Sequence, residues 1–446
     1  MAGAASQATS SAPAGGASVA APGTPPGGAV GAPRRFGVLR HTSFTLIWTG
    51  LLVSNSGTWM QGAAQGYLIY NALNPTPLAL GLLGVASALP MIVISPFGGV
   101  IADRVDRVAL LRITNVLWIL MTGTLATLTW VGRVTYWEIL LTAFLSATVL
   151  AFDNPARQSL IPDLVPRSEL LAAISLNSVA FTGAALVGPA IAGLILRYFG
   201  QDLYRGSAIV FACNAASYLA VLAPVLFWIR VPAREPTGPR ASIGADLVEG
   251  LRFVKERRPL VLLLSLTAVS SVFGRSFTQL MPVFAKDVLR VGPDGLGLMY
   301  SAPGAGTLVS GACLATLGHL VSRRHLLTSA VVSFCCAIFA FALSRSYPLS
   351  LGILFLSGLT GTALTATIST LLQLQLPGRM RGRVMSLQSQ AVIGMTPLGS
   401  LLSGWLATRM PAPLAVSLTA AVILCYLAFL VLTQSAWRRI EPDEDE

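Results

Sequence analysis

Charged side chains are scarce in this chain: only 11% of its 446 residues are Asp, Glu, Lys or Arg. A soluble domain carries roughly 25%. Hydrophobic residues make up 54% of the chain, which is more apolar surface than a soluble fold of this length hides. This imbalance excludes an ordinary soluble protein and indicates that the lipid bilayer is the solvent.

Cysteine and histidine are also rare, with five and three residues. Their positions fit neither a disulfide framework nor a metal site. The sequence lacks a phosphate-binding P-loop, a nucleophile with a matching base, and a pair of catalytic acids. We therefore expect no enzymatic activity, no metal and no cofactor. The net charge of +12 does not predict nucleic-acid binding, because the arginines form short clusters between apolar runs rather than one basic face.

Long uncharged runs are what the chain has in place of charge. The run from Thr42 to Ala102 spans 61 residues, enough for two membrane helices of about 20 residues each and a turn. Asn and Pro are concentrated at 71–77, as in a turn. The whole pattern predicts an all-α membrane protein with twelve transmembrane helices, at 44–70, 78–102, 111–131, 136–154, 170–196, 206–229, 259–284, 295–317, 326–344, 348–374, 384–408 and 412–434.

The distribution of basic residues predicts the orientation. With the N-terminus inside, 22 Lys and Arg residues fall in cytoplasmic segments and 7 in outer loops. This excess follows the positive-inside rule, so we expect a cytoplasmic (inner) membrane protein with both termini in the cytoplasm. Residues 1–33 carry no charge and are rich in Ala, Gly, Pro and Ser, which predicts a disordered cytoplasmic tail. Residues 438–446 are expected to form an acidic cytoplasmic tail.

A long internal loop divides the chain into an N-terminal six-helix bundle at 34–229, a cytoplasmic linker at 230–258 and a C-terminal six-helix bundle at 259–437. Within the linker, Leu247, Leu251 and Val254 share one face at helical spacing. This spacing predicts a short amphipathic helix lying on the membrane surface.

The two halves also repeat each other in sequence. A gapless shift of 211 residues aligns identical Pro, Ser, Leu and Gly residues at seven positions of a 28-residue stretch, which would make spans five and eleven equivalent. A shift of 216 makes spans two and eight equivalent. Parallel repeats with a site between them are a known plan of transporters. The matches are Pro166 with Pro377, Ser175 with Ser386, Leu176 with Leu387, Ser178 with Ser389, Gly183 with Gly394, Gly188 with Gly399, Gly193 with Gly404, Gly81 with Gly297, Leu82 with Leu298, Ala86 with Ala302 and Val93 with Val309.

The loop after span two carries Gly99, Asp103, Arg104 and Arg107. Glycine, then aspartate, then spaced arginines resembles the loop signature of the major facilitator superfamily, although Asp106 stands where the family usually has glycine. The resemblance implies the major facilitator fold: two pseudo-symmetric six-helix bundles. Asp103 is expected to approach a helix N-terminus. We expect Arg107 to pair with Asp153 in a cytoplasmic gate; a basic loop that only sets topology is the alternative.

Span five contains Gly183, Gly188, Pro189 and Gly193, which resemble the antiporter motif of the same superfamily. Stretches 54–61, 153–166 and 376–385 resemble the exporter branch that includes the enterobactin exporter and macrolide efflux proteins. This resemblance covers 35–438. It implies a secondary active exporter of small organic molecules, siderophore-like or lipophilic and drug-like, acting as a monomer. An importer or facilitator of the same fold for a small metabolite is the alternative.

Spans one, four, seven and ten line the substrate cavity in this superfamily, and polar stripes occur on these spans. Because polar residues in a span face the protein interior or a water-filled cavity, we expect a shared pocket there. Helix–helix hydrogen bonding is the alternative for each of them. The predicted cavity residues are Asn55, Thr58, Trp59, Gln61, Gln65, Arg275 and Gln279, with further polar candidates Thr142, Ser146, Ser271, Ser357, Thr360, Thr365 and Thr367, and with Tyr67 and Phe277 as aromatic walls.

Arg275 is a basic residue predicted deep inside a span, at 259–284. An unpaired arginine at that depth costs at least about 2.5 kcal/mol. We hypothesise that it attracts an anionic or catechol-like substrate; snorkelling or pairing with a helix end is the alternative. Proton exchange is the expected energy source, yet Glu138 and Asp153 are the only acids in the predicted spans. The proton carrier is therefore Asp153, the substrate itself, or absent.

Overall fold

The computed structural model describes residues 37–200, 202–229, 243–318, 320–434 and 437. This part of the chain folds into α-helices joined by short turns. The α-helices are α1 (Thr42–Leu68), α2 (Pro77–Arg104), α3 (Arg107–Trp130), α4 (Tyr136–Leu164), α5 (Leu170–Phe199), α6 (Leu203–Ser217), α7 (Leu219–Phe227), α8 (Ile243–Lys255), α9 (Arg258–Val269), α10 (Met281–Val283), α11 (Pro293–Leu317), α12 (Arg323–Leu343), α13 (Tyr347–Gln375), α14 (Gly378–Gly394), α15 (Thr396–Arg409) and α16 (Ala412–Thr433).

Ten helical segments in the described part of the chain are long and apolar enough to cross a membrane. They are Pro77–Ser95, Arg107–Trp130, Tyr136–Leu164, Arg167–Phe199, Leu203–Phe227, Arg258–Val288, Arg323–Leu343, Tyr347–Gln375, Gly378–Arg409 and Ala412–Thr433. The helices α1 and α11 are 27 and 25 residues long but are richer in Gly, Ser and other polar or small residues. The all-helical membrane architecture is thus confirmed, while the count of twelve spans stays a prediction.

Several predicted spans are interrupted where continuous helices were expected. The span at 384–408 is divided between α14 and α15 at Met395. Pro397 follows at the start of α15, and proline has no backbone N–H to continue the preceding helix. The span at 206–229 is divided at Tyr218. The span at 259–284 is the most irregular, because a π-helical turn and a 3-10 turn follow α9.

Helix packing in residues 42–227 (the first half) is repeated in residues 258–433 (the second half). In the first half α2 packs on α4 and α3 on α6; in the second half α11 packs on α13 and α12 on α16. Two further pairs, α5 with α11 and α2 with α15, join the halves. The repeat seen in the sequence therefore corresponds to a repeat in packing.

The two joining crossings depend on glycine. A Cβ atom on Gly193 would lie 2.7 Å from the Pro293 carbonyl oxygen and 3.2 Å from the Gly297 Cα. A Cβ on Gly404 would lie 3.0 Å from the Gly81 Cα. Small residues let membrane helices approach at backbone distance. Because the sequence repeat relates Gly193 to Gly404 and Gly81 to Gly297, the two crossings are equivalent.

The helix ends define two ends of the molecule. The Tyr70 end holds the α1–α2, α3–α4 and α5–α6 connections, and the Arg107 end holds the α2–α3 and α4–α5 connections. At the Arg107 end, α8 packs on α14, where Arg383 Nη1 lies 2.6 Å from Glu249 Oε1. Val254 is buried whereas Leu251 is half exposed. A location of α8 on the membrane surface stays a prediction.

Some predictions lie outside the described residues. These are the two tails, at 1–33 and 438–446, and the linker segment at 230–242. Residues 96–104 are described by their backbone alone, as the last turns of α2. The predicted gate contacts of Gly99, Asp103 and Arg104 therefore stay predictions.

Candidate functional site

A cavity of about 550 Å³ lies between the two halves, a volume typical of small-molecule sites. The first half contributes α1 and α5, and the second half contributes the segment after α9 together with α11 and α13. The residues that line it include Trp59, Phe181, Thr182, Ser270, Ser271, Arg275, Phe277, Gln279, Tyr300, Phe334, Ser357 and Thr365.

The polar wall of the cavity is formed by a break in the helix that follows α9. The chain runs through a π-helical turn at Ser270–Gly274, then Arg275, then a 3-10 turn at Ser276–Leu280. Gly274 permits this path, because a Cβ there would lie 2.6 Å from Phe334 Cε1. Single π-turns are frequent at functional sites, and interrupted membrane helices form the binding sites of many transporters.

Arg275 projects from this break into the cavity, where it is the one charged side chain among the described lining residues. It is exposed to the cavity although protein surrounds it. Within the described residues its guanidinium has no hydrogen-bond or ion-pair partner. The prediction that Trp59, Arg275 and Gln279 face a shared pocket agrees with this geometry, as do Ser271, Phe277, Ser357 and Thr365.

The aromatic wall of the cavity comes from the first half. Trp59 on α1 meets Phe181 on α5 edge to face, with ring centroids 6.0 Å apart. Thr182 beside them already donates to the Ser178 carbonyl oxygen at 3.0 Å. This side of the cavity therefore offers aromatic surface and few free hydrogen-bond donors.

Polar contacts join the halves at the Tyr70 end. Arg197, in the last turn of α5, donates to Asp294 in the first turn of α11 at 2.7 Å. The Tyr70 hydroxyl donates to Asp287 at 2.5 Å, and Lys286 Nζ lies 5.2 Å from the centre of the Tyr70 ring. Along α5 and α11 these contacts and the glycine crossing lie between the cavity and the Tyr70 end. The cavity is therefore closed on that side.

These closing pairs were not predicted from the sequence, which placed Arg197, Lys286 and Arg290 in outer loops. A signal was present: Arg197 and Asp294 are opposite charges at the same end of the molecule, each one turn from a glycine, Gly193 or Gly297. The pairing becomes visible only once α5 is packed on α11.

Four of the seven predicted cavity residues, all on α1, do not line the cavity in this conformation. Gln61 is buried and accepts a hydrogen bond of 2.6 Å from Asn214 on α6. Thr58 hydrogen bonds with the Tyr218 hydroxyl at 3.1 Å. The polar stripe of α1 thus faces α6. Also on α1, Asn55 is half-buried and Gln65 is buried, its amide nitrogen having no partner among the described residues.

Helix α4 was also expected to line the cavity, but none of its polar residues is among the described lining residues. In this conformation Arg107 does not pair with Asp153, the partner expected for a closed cytoplasmic gate. Arg107 donates to Asp163 at 3.0 Å and to the Ser159 carbonyl oxygen at 2.9 Å.

Asp153 is instead buried within the first half, 1% exposed. Its carboxylate pairs with Arg157 one turn along α4 and accepts from Thr114 on α3 at 2.8 Å. Asp153 is thus neutralised locally, away from the cavity, and α5 takes the place that was expected for span four. Glu138, the other predicted interior acid, serves in a capping box with Thr135.

The glycine-rich motif of α5 divides into residues with different surroundings. A Cβ on Gly188 would lie 2.5 Å from the Ser56 carbonyl oxygen of α1, whereas a Cβ on Gly183 would have no neighbour within 4 Å. Pro189 lines the cavity and Gly193 makes the crossing with α11. The motif therefore joins α5 to both α1 and α11.

The fold and the site define a class: a multi-pass membrane transporter of the major facilitator type. Residues 34–445 match the profile of one family in that class, the transmembrane secretion effectors. The chain belongs to this family, which consists of transporters rather than enzymes.

Named relatives are efflux proteins and a siderophore transporter. The chain is 26% identical to the multidrug efflux pump Tap of Mycolicibacterium fortuitum, over 81% of this chain and 88% of Tap. It is 22% identical to macrolide efflux protein A of Streptococcus pyogenes, over 86% of this chain and 93% of that protein. It is 25% identical to the staphyloferrin A transporter of Staphylococcus aureus, over 57% and 62%.

Solved structures agree with the fold. A nucleoside transporter superimposes with a TM-score of 0.69 at 10% identity, over 88% of this chain and 99% of that one. A bacterial homologue of the lysosomal transporter Spinster, inward-facing and unoccupied, gives 0.66 at 15% identity over 89% and 97%. At such low identity the likeness concerns the fold alone.

Proposed function

We propose that this protein is a secondary active exporter that moves small organic molecules across the cytoplasmic membrane by alternating access. The observation that carries the proposal is the cavity between the halves, closed at the Tyr70 end by the Arg197–Asp294 and Tyr70–Asp287 contacts. Such a site, reached from one side at a time, is what alternating access requires.

The proposed topology has twelve transmembrane helices in two six-helix bundles. To the ten candidate spans it adds α1 and α11, which at about 1.5 Å per residue are long enough to cross the bilayer core of about 30 Å. The repeated packing of the two halves supports this division. The basic excess at the Arg107 end supports a cytoplasmic location for that end and for both termini.

In this topology the described conformation faces inward. The Tyr70 end is outermost and closed, and the substrate enters from the cytoplasm or inner leaflet. Opening then separates α5 from α11 and α2 from α15, breaking the two polar pairs. One chain forms the complete cavity, so we propose that the protein acts as a monomer.

The proposed substrates are siderophore-like or lipophilic drug-like molecules, and the proposed driving force is proton exchange. The relatives named for macrolide, multidrug and staphyloferrin A transport support the first part. A gate formed around Asp103 and Arg107 is retained in the proposal, with Asp163 as the partner of Arg107. Import of a small metabolite by the same fold is the second candidate.

Vesicle transport tests direction and coupling together. Inside-out membrane vesicles containing the protein are expected to accumulate a radiolabelled siderophore when their interior is acidified, and to lose this activity when a protonophore collapses the gradient. Vesicles without the protein are the control. Accumulation only in right-side-out vesicles would establish import instead.

A further inference from the structure

The two walls of the cavity differ chemically, and the difference concerns free hydrogen-bond donors. The second-half wall carries many hydroxyls, but most already donate to backbone carbonyls: Thr267 to Leu263 at 2.9 Å, Ser357 to Leu354 at 2.7 Å and Thr365 to Gly361 at 2.9 Å. Their hydrogens are thus unavailable to a ligand.

Free donors lie at the helix break. The Arg275 guanidinium faces the cavity without a partner among the described residues; the Ser270 hydroxyl beside it also lacks a partner but is itself buried. Gln279, four residues beyond Arg275, adds a side-chain amide to the same wall. Buried donors without partners cost about 1–3 kcal/mol each, and more when charged. A ligand that accepts hydrogen bonds here removes that cost.

The same cavity lacks, among its described lining residues, the acidic side chains that would stabilise a cation. No Asp or Glu occurs among its described lining residues, and the single charge is positive. Bringing a cation beside an uncompensated guanidinium in a site of low dielectric is unfavourable. The opposite wall is aromatic, through Trp59 and Phe181.

From this arrangement we propose that the substrate is an amphipathic anion. Its oxyanion, a carboxylate or a group of similar shape, binds at the Arg275–Ser270 break, and its apolar or aromatic body packs on Trp59 and Phe181. The guanidinium fork matches a carboxylate in two parallel hydrogen bonds. The inference rests on the proposed function for its transport step, whereas the binding site itself is open to measurement at equilibrium.

Three probes that share one fluorophore test this class. Dansyl-phenylalanine carries a carboxylate, its methyl ester is neutral, and monodansylcadaverine carries an ammonium group. Fluorescence titration of the purified full-length protein in detergent micelles gives the three dissociation constants. We expect the carboxylate to bind at least about tenfold more tightly than the ester, as a charged hydrogen bond provides, and the ammonium probe to bind most weakly.

Substitutions of Arg275 test whether this residue causes the preference for the carboxylate probe over the ester. Arg275→Gln is expected to abolish the preference for carboxylate over ester, and Arg275→Lys to retain part of it, because lysine keeps the charge but loses the bidentate fork. Arg409→Gln is the matched control: Arg409 stacks near Trp405, remote from the cavity. Removing an unpaired charge within a span does not cost stability, and a melting curve for each variant verifies folding.

A preference for the carboxylate that disappears in Arg275→Gln and persists in Arg409→Gln supports the proposal. Equal or tighter binding of the ester or the ammonium probe, a preference unchanged by Arg275→Gln, or failure of dansyl-phenylalanine to bind at about 1 mM overturns it. Binding of the carboxylate probe without transport in inside-out vesicles would leave the site standing and refute the exporter function.

Discussion

Arg197 donates a hydrogen bond to Asp294 across the junction of α5 and α11, with 2.7 Å between the two atoms. The contact joins the two halves one turn beyond the Gly193–Gly297 crossing. It therefore lies where any opening of the cavity toward the Tyr70 end must begin. Charge and packing act together there, and mutations separate their contributions.

Asp294→Asn weakens the charge contact and is expected to shift the population toward a conformation open at the Tyr70 end. Arg197 is 68% exposed, and an exposed ion pair contributes about 0–1 kcal/mol, so the shift is at most about fivefold. The measurement is the rate at which a membrane-impermeant maleimide, added outside the cell, labels Thr182→Cys in a background lacking the five native cysteines.

Asp202→Asn is the matched control for this experiment, because Asp202 pairs with Arg205 within one helix end and does not join the halves. Labelling should be unchanged in the control. Restoration of slow labelling by the charge swap Arg197→Asp with Asp294→Arg would support the contact, and an unaltered rate in Asp294→Asn would refute its closing role.

Gly297→Ala is expected to disturb the crossing itself. The added methyl group would collide with the Pro189 carbonyl oxygen and the Gly193 backbone, and overpacking of this kind costs about 1–3 kcal/mol. The melting temperature in detergent should fall. The equivalent variant Gly81→Ala, whose methyl would lie 2.7 Å from the Ser400 carbonyl oxygen, should behave alike.

Gly183→Ala is the control for the glycine series, since a Cβ there meets nothing within 4 Å. Alanine also favours a helix over glycine by up to about 1 kcal/mol, so stability should be equal or higher. Equal damage at Gly183 and Gly297 would contradict the packing explanation of the α5 motif.

The fold was largely predictable from the sequence, because the uncharged runs and the glycine repeat express constraints of the bilayer itself. The site was predictable in part. Arg275 was identified because a charged residue within a span faces the protein interior or a water-filled cavity, and Gln279 because it lies four residues further along the same polar stripe. Gln61 and Thr58 were misplaced because a polar stripe reports an interior face and does not distinguish a cavity from a neighbouring helix; here the neighbour is α6, through Asn214.

Asp153 shows a different limit of sequence reasoning. Arg107 was the expected partner, whereas the helical geometry of α4 places Arg157, one turn away, against the carboxylate. The interruption at Ser270–Gly274 carried no visible sequence signal beyond Gly274. The Phe334 ring packs against that glycine, and this tertiary contact is not visible in the sequence.

Gln61→Ala tests the reassignment of the α1 stripe. Removing the acceptor leaves the Asn214 amide without its 2.6 Å hydrogen bond, so the variant should lose about 1–3 kcal/mol of stability and melt earlier. Affinity for a transported substrate should stay within about twofold. A large loss of affinity with unchanged melting would return Gln61 to the cavity.

Asp153→Asn tests the first option for the proton carrier, that this carboxylate carries the coupled proton although it is paired with Arg157 away from the cavity. Under that option, substrate-dependent proton movement in proteoliposomes should be lost, while substrate counterflow, which needs no proton exchange, should continue. Because the change strands Arg157 and breaking a buried pair costs about 3–5 kcal/mol, the double variant Asp153→Asn with Arg157→Gln provides a folded comparison. Asp202→Asn, at the exposed pair with Arg205 within one helix end, is the control. Undiminished proton movement in the double variant would exclude Asp153.

The central claim, that two halves move about one cavity, is tested most directly by distances between spin labels. One pair, at Tyr198 and Arg290, spans the Tyr70 end; the other, at Arg167 and Arg379, spans the Arg107 end, and all four positions are exposed. Under a proton gradient with substrate, the first distance should lengthen as the second shortens. Distances that both stay constant, or that change in the same direction, while transport proceeds would contradict alternating access.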